Sequence, residues 1–567
     1  MKILSLHTDY IKWQAQKKAL KSIEDLSEEE LKEHEVKEAL VILTAIEKND
    51  TNIPEAIEKY TQEIKKIAEQ IGAKNIVLYP YAHLSNNLGK PTNAIKILEE
   101  SQKRLQKEKY NVSHSPFGYY KTFELKVKGH PLSELSREIV IKGHEEEDIT
   151  EEERKRLLKE ISKSKLDTSK LKDNDHRIIG RKLDLWSFNE TAPGMVFWHH
   201  KGLHLKNKLI ELWREIHRKD YTEISTPQIL DRKLWEISGH WTKYSENNFK
   251  TIYENRDFLV KPMNCPGGML VYKTSPKSYK DLPMRVGELG IVHRVELSGT
   301  LSGLFRVIQF TQDDAHIFCT EKQLENEVEK IIELINKIFN TFNLKFDHIE
   351  LSTRPEKRIG DEKLWDKAEE ALENILKKKK IKYQINAGDG AFYGPKIDFH
   401  LKDSLNRTWQ CSTIQLDMAL PQRFELEYTD EKGEIKRPIM LHRVIYGAIE
   451  RFLGILTEHL NGKFPLWLSP NQIKIMTMND EVKEYAKEIY NKLFDQGFMV
   501  ELDDRNESIG KKVREAQIQR FNYLVTIGEK EQEKNVIAIK KRDDEKIIQL
   551  TLEDFISQIK KEIEKKG

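Results

Sequence analysis

Cysteine is nearly absent. Cys265, Cys319 and Cys411 are the three in 567 residues, too few and too scattered for a disulfide framework. A disulfide-stapled secreted scaffold is excluded, and a reducing, cytoplasmic compartment is expected. Long apolar runs are also missing. No stretch approaches the ~18 residues of a membrane span, and MKILSLHTDY runs into polar KWQAQKK without the form of a signal peptide. Charge of one sign is not in excess: Lys and Arg number 95, Asp and Glu 93, for a net charge of +2. Any nucleic-acid surface must therefore be local. The usual phosphate-binding loops are missing too. No G-x-x-x-x-G-K-[ST] and no strand-linked G-x-G-x-x-G occurs, so P-loop and dinucleotide-fold chemistry are excluded.

Charged residues of both signs are abundant, at 33% of the chain. Surface ion pairs of a thermophile and a lysine-rich genome explain this equally well. The length predicts several domains. Residues 1–143 read as one α/β domain. KILSLHTDY and ALVILTAIE are strand-like, Ile53 to Ile71 is an amphipathic helix, NIVLYPYAHL a strand, Asn93 to Lys109 a helix, and FGYYKTFELKVKG a returning strand. Residues 144–174 are a charged linker, partly helical. In residues 175–464, LHLKNKLIELWREIHRKDYTEISTPQIL is an amphipathic helix feeding a strand that ends at Pro227, and LHRVIYGAIERFLGIL is a strand-to-helix element. Residues 465–567 alternate strands and helices, which predicts a mixed sheet covered by helices.

The centre of the chain is 283–320, PMRVGELGIVHRVELSGTLSGLFRVIQFTQDDAHIFCT. Two strand-like runs flank a Ser/Gly/Thr loop, a pattern that predicts a long-looped antiparallel hairpin. Alternation puts Arg294 and Glu296 on one strand face, and Gln312, Asp314 and His316 together on one face of the return strand. Singly, each fits a solvated sheet face. Together with Arg306 they are hard to bury as core and suit the floor of an anionic-ligand site.

This stretch resembles motif 2 of the class II aminoacyl-tRNA synthetases, Arg-x-Glu followed by a variable loop. With TQDDAHIFCT, and KPMNCPG at 261–267, it is similar to the archaeal-type threonyl-tRNA synthetases. The helix-strand before Pro227 resembles motif 1, the family's dimer interface, and GAIER resembles motif 3. The class I signatures HIGH and KMSKS are missing. The resemblance implies an α+β / α/β multidomain fold. It comprises a class II antiparallel-sheet catalytic core, an N-terminal deacylase-like α/β editing domain and a C-terminal α/β anticodon-binding domain. It also implies a homodimeric ligase joining threonine to tRNA(Thr) with ATP and Mg2+.

Site residues follow by the same resemblance. Arg294 binds the α-phosphate and the substrate carboxylate, Arg306 the γ-phosphate, and Glu296 the adenine amino group. Phe310 and Arg451 sandwich the adenine, and Gln410 adds to the ATP site. Catalysis falls to Arg294, Lys396 and Arg451, by positioning and charge neutralisation. Cys265, His316 and His442 are the implied zinc ligands. Their spacing alone predicts no metal site, and each is singly more simply a core residue. Three ligands leave an open position, and Gln312, Asp314, Tyr393 and Gln415 complete the threonine pocket. Ala448 stands where many family members have serine, so that contact is missing.

A site that selects a hydroxyl cannot exclude serine, which differs by one methyl worth about 1–3 kcal/mol. A hydrolytic site is therefore expected. YPYAHLS, SPFGYYK and KGHPLSELSR resemble the archaeal editing domain, with His83, Tyr120 and Lys121 at its active-site positions. His240, in SGHW, matches a residue near the tRNA acceptor end. Asn506, Arg514, Arg520 and Glu531 match anticodon-reading positions. Lys540 stands where Arg is frequent and lacks its bidentate fork. Two alternatives remain. TQDDAHIF and the ligand triad argue against a seryl or prolyl enzyme. Intact Arg294, Glu296, Arg306 and Arg451 argue against an RNA-binding paralogue without ligase activity.

Overall fold

The structure, a computed structural model, describes residues 1–20, 23–141, 151–161, 171–403 and 405–566. They fall into two compact units, Met1–Leu157 and Leu158–Gly567. Of the expected linker, 151–161 is helical and 171–174 is described; 144–150 and 162–170 lie outside the described residues.

The first unit is a mixed six-stranded sheet. Strands Asn111–His114, Asn75–Pro80, His34–Ala45, Lys2–Lys18 and Tyr119–Val127 lie side by side, with Glu134–Glu138 also paired to the long first strand. Strand alternation divides the apolar residues between the two faces. Leu40 and Ile42 belong to the cluster that includes Ile64 and Ile97, Val41 and Leu43 to the one that includes Trp13 and Tyr79. Helix Ile53–Ile71 starts at Asn52, whose side chain accepts from Glu55 N, and ends at Gly72 with φ 70°. It buries Ile57, Tyr60, Ile64, Ile67 and Ala68 at helical spacing. The second helix is Pro91–Lys107, two residues earlier than the sequence predicts.

The second unit is built on an eight-stranded sheet. Its order is Gln384–Asn386, Lys345–Ser352, Lys396–Lys402, Thr408–Asp417, Ile439–Val444, Gln309–Cys319, Met284–His293 and Thr222–Glu223. All neighbours are antiparallel except the two edge pairs. Helix Leu324–Thr341 buries Val328, Ile331, Ile335 and Ile338 in the same core as Phe452 and Leu456 of helix Ile449–His459. The C-terminal segment is a five-stranded mixed sheet. Its order is Val500–Asp503, Ile473–Thr477, Tyr523–Ile527, Ile537–Lys541 and Ile547–Leu550.

The structure corrects the sequence in several places. The hairpin strands are Met284–His293 and Gln309–Cys319, so Arg294, Glu296 and Arg306 stand in the connecting loop and not on a strand face. The strand expected to end at Pro227 is only Thr222–Glu223. The hairpin Phe249–Tyr253/Arg256–Val260 and edge strands Gln384–Asn386 and Ile547–Leu550 were not expected. Such short, polar-flanked edges carry no periodic apolar signal.

Candidate active site

A cavity of about 510 Å³ opens over the central strands of the large sheet. Arg294, Glu296, Arg306, Phe310, Gln312, Asp314, Tyr393, Gln410, Gln415, Cys265, His442, Ala448 and Arg451 all line it. One end is cationic. The Arg294 guanidinium lies 5.2 Å from the Phe310 ring centroid, and its Nε donates to Pro262 O at 3.2 Å. Arg306 Nε donates to Glu296 Oε2 at 2.9 Å, so the two expected ATP contacts are paired with each other. Arg451 Nε donates to Phe305 O at 2.9 Å. Burial, with Arg306 and Arg294 nearby, lowers the affinity of Arg451 for its proton. A cluster of guanidiniums without equal negative charge suits an anionic ligand.

Three tethers hold this end. The Asp313 carboxylate accepts from the backbone N–H of Ile445, Tyr446 and Gly447, fixing the turn that feeds helix Ile449–His459. Glu450, beside Arg451, accepts from Lys206 Nζ at 3.0 Å and from Thr311 N at 2.8 Å. His176 Nε2 accepts from Leu304 N at 2.9 Å, and its Nδ1 is 2.7 Å from Glu458 Oε1.

At the other end Cys265 and His442 line the cavity and His316 joins them; all three are buried, with one possible ligand atom from each lying within 4.8 Å of the others. Cys265 begins helix Cys265–Tyr272, and the two histidines are register partners on adjacent strands. His316 Nε2 is buried without a hydrogen-bond partner. His442 Nε2 is 2.8 Å from Asp417 Oδ2, a carboxylate contact that orients a ligating imidazole and leaves Nδ1 free. Burial, reinforced by Asp314 and Asp417, pushes the Cys265 thiol well up, and burial pulls His316 down to about 4. One thiol, two imidazoles, an orphaned ring nitrogen and a carboxylate behind one ring fit a zinc-class cation. Asp314 accepts from Asn264 Nδ2 at 3.1 Å, and Tyr393 OH donates to Gln415 Oε1 at 2.5 Å.

Other predicted residues stand elsewhere. Lys396 does not line the cavity. Its Nζ meets Asp398 at 2.6 Å and Asp389 at 2.9 Å, and Asp398 also accepts from the cavity residue Gln410. Burial would lower Lys396, but the Asp398 pair overrides it and the proton is held more tightly. His240 is fully buried, 3.9 Å from Cys265 Sγ, and not on the surface. In the first unit, Lys121 Nζ donates to Pro116 O at 2.7 Å and to Ser115 Oγ at 3.2 Å and lies 4.5 Å from the Tyr79 ring centroid. Tyr79 continues through Tyr81 to His83 by ring contacts. Tyr120 is on the opposite strand face and 66% exposed. Asn506 and Arg514 are exposed, whereas Arg520 lines a separate recess with Asn461. Glu531 accepts from Gly528 N and Gln549 Nε2. Sequence reasoning missed Asp313, Asp417, Asn264 and Glu450. A motif read along the chain carries no mark for residues that act only by holding others.

Three family profiles match consecutive parts of the chain. They are the archaea-specific editing domain of threonyl-tRNA synthetase at 1–139, the class II tRNA synthetase core domain (G, H, P, S and T) at 249–460, and the anticodon-binding domain at 472–562. The crystal structure of the RNA binding domain of threonyl-tRNA synthetase from Cryptosporidium parvum Iowa II is 41% identical with a TM-score of 0.66. The match covers 68% of this chain and 98% of that one. The chain belongs to the threonyl-tRNA synthetase family. Among curated relatives, the threonine–tRNA ligase of Desulfatibacillum aliphaticivorans is 53% identical over 394 residues, and that of Carboxydothermus hydrogenoformans 52% over 396. These matches cover 69% and 70% of this chain, which spans 62% of the length of each of these family members. The fold is thus that of a multidomain synthetase with editing, class II core and anticodon-binding parts.

Proposed function

We propose that the chain is an archaeal-type threonine–tRNA ligase that edits its own serine errors. The reading is carried by one observation: the cavity lined by the guanidinium cluster is also lined by Cys265 and His442, whose possible ligand atoms lie within 4.8 Å of that of His316. A substrate held at the triad end would place its carboxylate toward the arginines. The carboxylate oxygen attacks the α-phosphorus of ATP, the bond to the β-phosphate oxygen breaks, and pyrophosphate leaves. No side chain forms a covalent intermediate. Arg294 neutralises the α-phosphate and the incoming carboxylate. Arg306 leaves Glu296 for the γ-phosphate, freeing Glu296 for the adenine amino group. Phe310 and Arg451 stack on the ring, and Mg2+ accompanies the polyphosphate. Gln410 is braced by Asp398, and Lys396 steadies that carboxylate, a positioning role.

A zinc ion held by Cys265, His316 and His442 would supply a Lewis-acid charge with open positions, favouring an amino alcohol over a hydrocarbon. Asp314 accepts the hydroxyl's hydrogen bond, while Tyr393, Gln312 and Gln415 surround the amino group. Valine lacks the hydroxyl and leaves Asp314 with the Asn264 amide as its partner and one hydrogen bond fewer, which is costly in a buried site. The second step transfers the threonyl group to the terminal ribose of tRNA. Anticodon bases are read by the C-terminal domain through Asn506, Arg514, Arg520 and Glu531. Serine escapes the first filter, and the N-terminal domain hydrolyses Ser-tRNA with Lys121 and His83; Tyr120 serves the opposite face. The domains are 1–143 for editing, 144–174 as linker, 175–464 for catalysis and 465–567 for anticodon binding. The enzyme works as a cytoplasmic homodimer.

Amino-acid-dependent pyrophosphate exchange with threonine, serine and valine tests this. Threonine should be fastest, serine slower, valine at background. Cys265→Ser should lose the metal held by Cys265, His316 and His442 and threonine-dependent exchange together. Full exchange in a zinc-free protein, or equal rates with valine, sinks the reading.

A further inference from the structure

Away from the cavity, three metal-binding side chains converge on the catalytic sheet. His348 and Glu350 are two apart on strand Lys345–Ser352 and so share a face. His400, on the antiparallel strand Lys396–Lys402, is the register partner of His348. The imidazoles stack with centroids 4.3 Å apart at 12°. His348 Nε2 is 3.1 Å from Glu350 Oε1, and His400 Nε2 is 3.3 Å from Glu350 Oε2. One ligand atom from each residue lies within 4.8 Å of the other two. Despite its nearness to Glu350, His400 Nε2 makes no hydrogen bond and is shielded from solvent. A buried ring nitrogen left unpaired is costly unless something else binds it.

The surroundings are those of a ligand set. Asp347 Oδ2 lies 2.8 Å from His348 Nδ1. Both ring nitrogens of His348 thus face carboxylates, Asp347 at Nδ1 and Glu350 at Nε2; with a metal in place of the Nε2 proton, the Asp347 contact would fix the tautomer that ligates through Nε2. Asn386 Nδ2 donates to Glu350 Oε2 at 2.9 Å, holding the carboxylate in place. None of these residues lines the substrate cavity. We propose that His348, Glu350 and His400 form a second divalent-metal site, of the zinc class, that clips strand Lys345–Ser352 to strand Lys396–Lys402. Two imidazoles with one carboxylate suit Zn2+, Co2+ or Ni2+, whereas Mg2+ and Ca2+ want oxygen alone. Water completes the coordination. The clipped strand is the one that carries Lys396 and Asp398, so the site would stiffen the frame beside Gln410.

The test counts metals in the full-length chain with two probes, Zn2+ and Co2+. Cobalt on Cys265 gives thiolate-to-metal charge-transfer absorption, whereas cobalt on histidine and glutamate gives only weak visible bands. Wild type should bind two equivalents after chelation and reloading. Glu350→Gln, which keeps the size and the Asn386 contact, should bind one and keep the charge-transfer band. Cys265→Ser should bind one and lose it. Zn2+ should raise the melting temperature of Cys265→Ser but not of the Cys265→Ser/Glu350→Gln double variant. His400→Gln provides a second variant if Glu350→Gln fails to fold. A wild type that binds a single equivalent carrying the charge-transfer band overturns the site, as does a Cys265→Ser protein that binds none. A wild type that binds one equivalent without that band supports this site and instead sinks the one at Cys265.

Discussion

Lys121 follows Tyr120 on strand Tyr119–Val127, and neighbours on a strand face opposite ways. The structure gives the solvent side to Tyr120 and the half-buried side to Lys121, against Tyr79. Burial lowers the Lys121 ammonium to about 8. Its folded value lies below its unfolded value of 10.5, so the unfolded chain binds more protons between the two. Stability therefore rises with pH from about 8 toward 10.5, and the charge is a net cost below 8. Lys121→Met should keep the stem, remove that cost and leave the melting temperature at pH 7 undiminished. If the ammonium acts on the acyl carbonyl, hydrolysis of preformed Ser-tRNA should drop ~10²-fold, the scale for one lost oxyanion-type donor. Wild-type hydrolysis should itself fade as pH passes through 8. A variant that melts lower while hydrolysing normally would return Lys121 to a structural role.

At the scale of elements, the site depends on the turn between strand Ile439–Val444 and helix Ile449–His459. Asp313 gathers three consecutive N–H groups there, and Gly447 sits at φ 79°. A Cβ at Gly447 would stand 2.8 Å from Cys411 O, a backbone atom that cannot step aside cheaply. Gly447→Ala combines a left-handed residue, costing about 1–2 kcal/mol, with that clash. The melting temperature should fall by several degrees, and the KM for ATP in pyrophosphate exchange should rise because Arg451 follows the turn. An unchanged KM would separate the turn from ATP binding. The loop before strand Gln309–Cys319 works differently. Its Glu296–Arg306 pair closes on itself, so ATP bound as proposed would exchange one ion pair for contacts with both partners.

For the whole chain, the two compact units predict separable activities. Residues 158–567 expressed alone should retain threonine-dependent exchange and accumulate Ser-tRNA, while the full chain should not. Equal Ser-tRNA from both would move editing out of the first unit. Acid acts on the second unit through several buried histidines, among them His217, buried against Trp213. Burial, with Arg443 near, holds it down at about 3 against an ordinary 6.5. Here too the folded value is depressed, so protons bind the unfolded state first, and stability should fall as pH drops from about 6.5 toward 3. His217→Gln should make that slope shallower in melting curves, with His204, His240 and His316 supplying the remainder; an unchanged slope would assign the acid sensitivity to those three alone.

Elements with a strong apolar period are legible in the chain alone. Helix Ile53–Ile71 falls where its apolar spacing puts it, and Gln312, Asp314 and His316 do share a strand, since both depend only on local geometry. The family is legible there as well, because GAIER and TQDDAHIF are contiguous and survive being read as strings. The tertiary structure alone decided what depends on distance through space. Cys265, His316 and His442 come from a helix and two separate strands, and no spacing along the chain encodes their meeting. The loop position of Arg294 and Arg306 was likewise undecidable, since β-branched neighbours pull the pattern toward strand while the ion pair and His176 hold a loop. Asp313 and Asp417 act through backbone amides and an imidazole contributed by another strand and its following turn. A carboxylate in sequence looks the same whether it binds substrate, braces a histidine or meets water, and only burial and partners tell these apart.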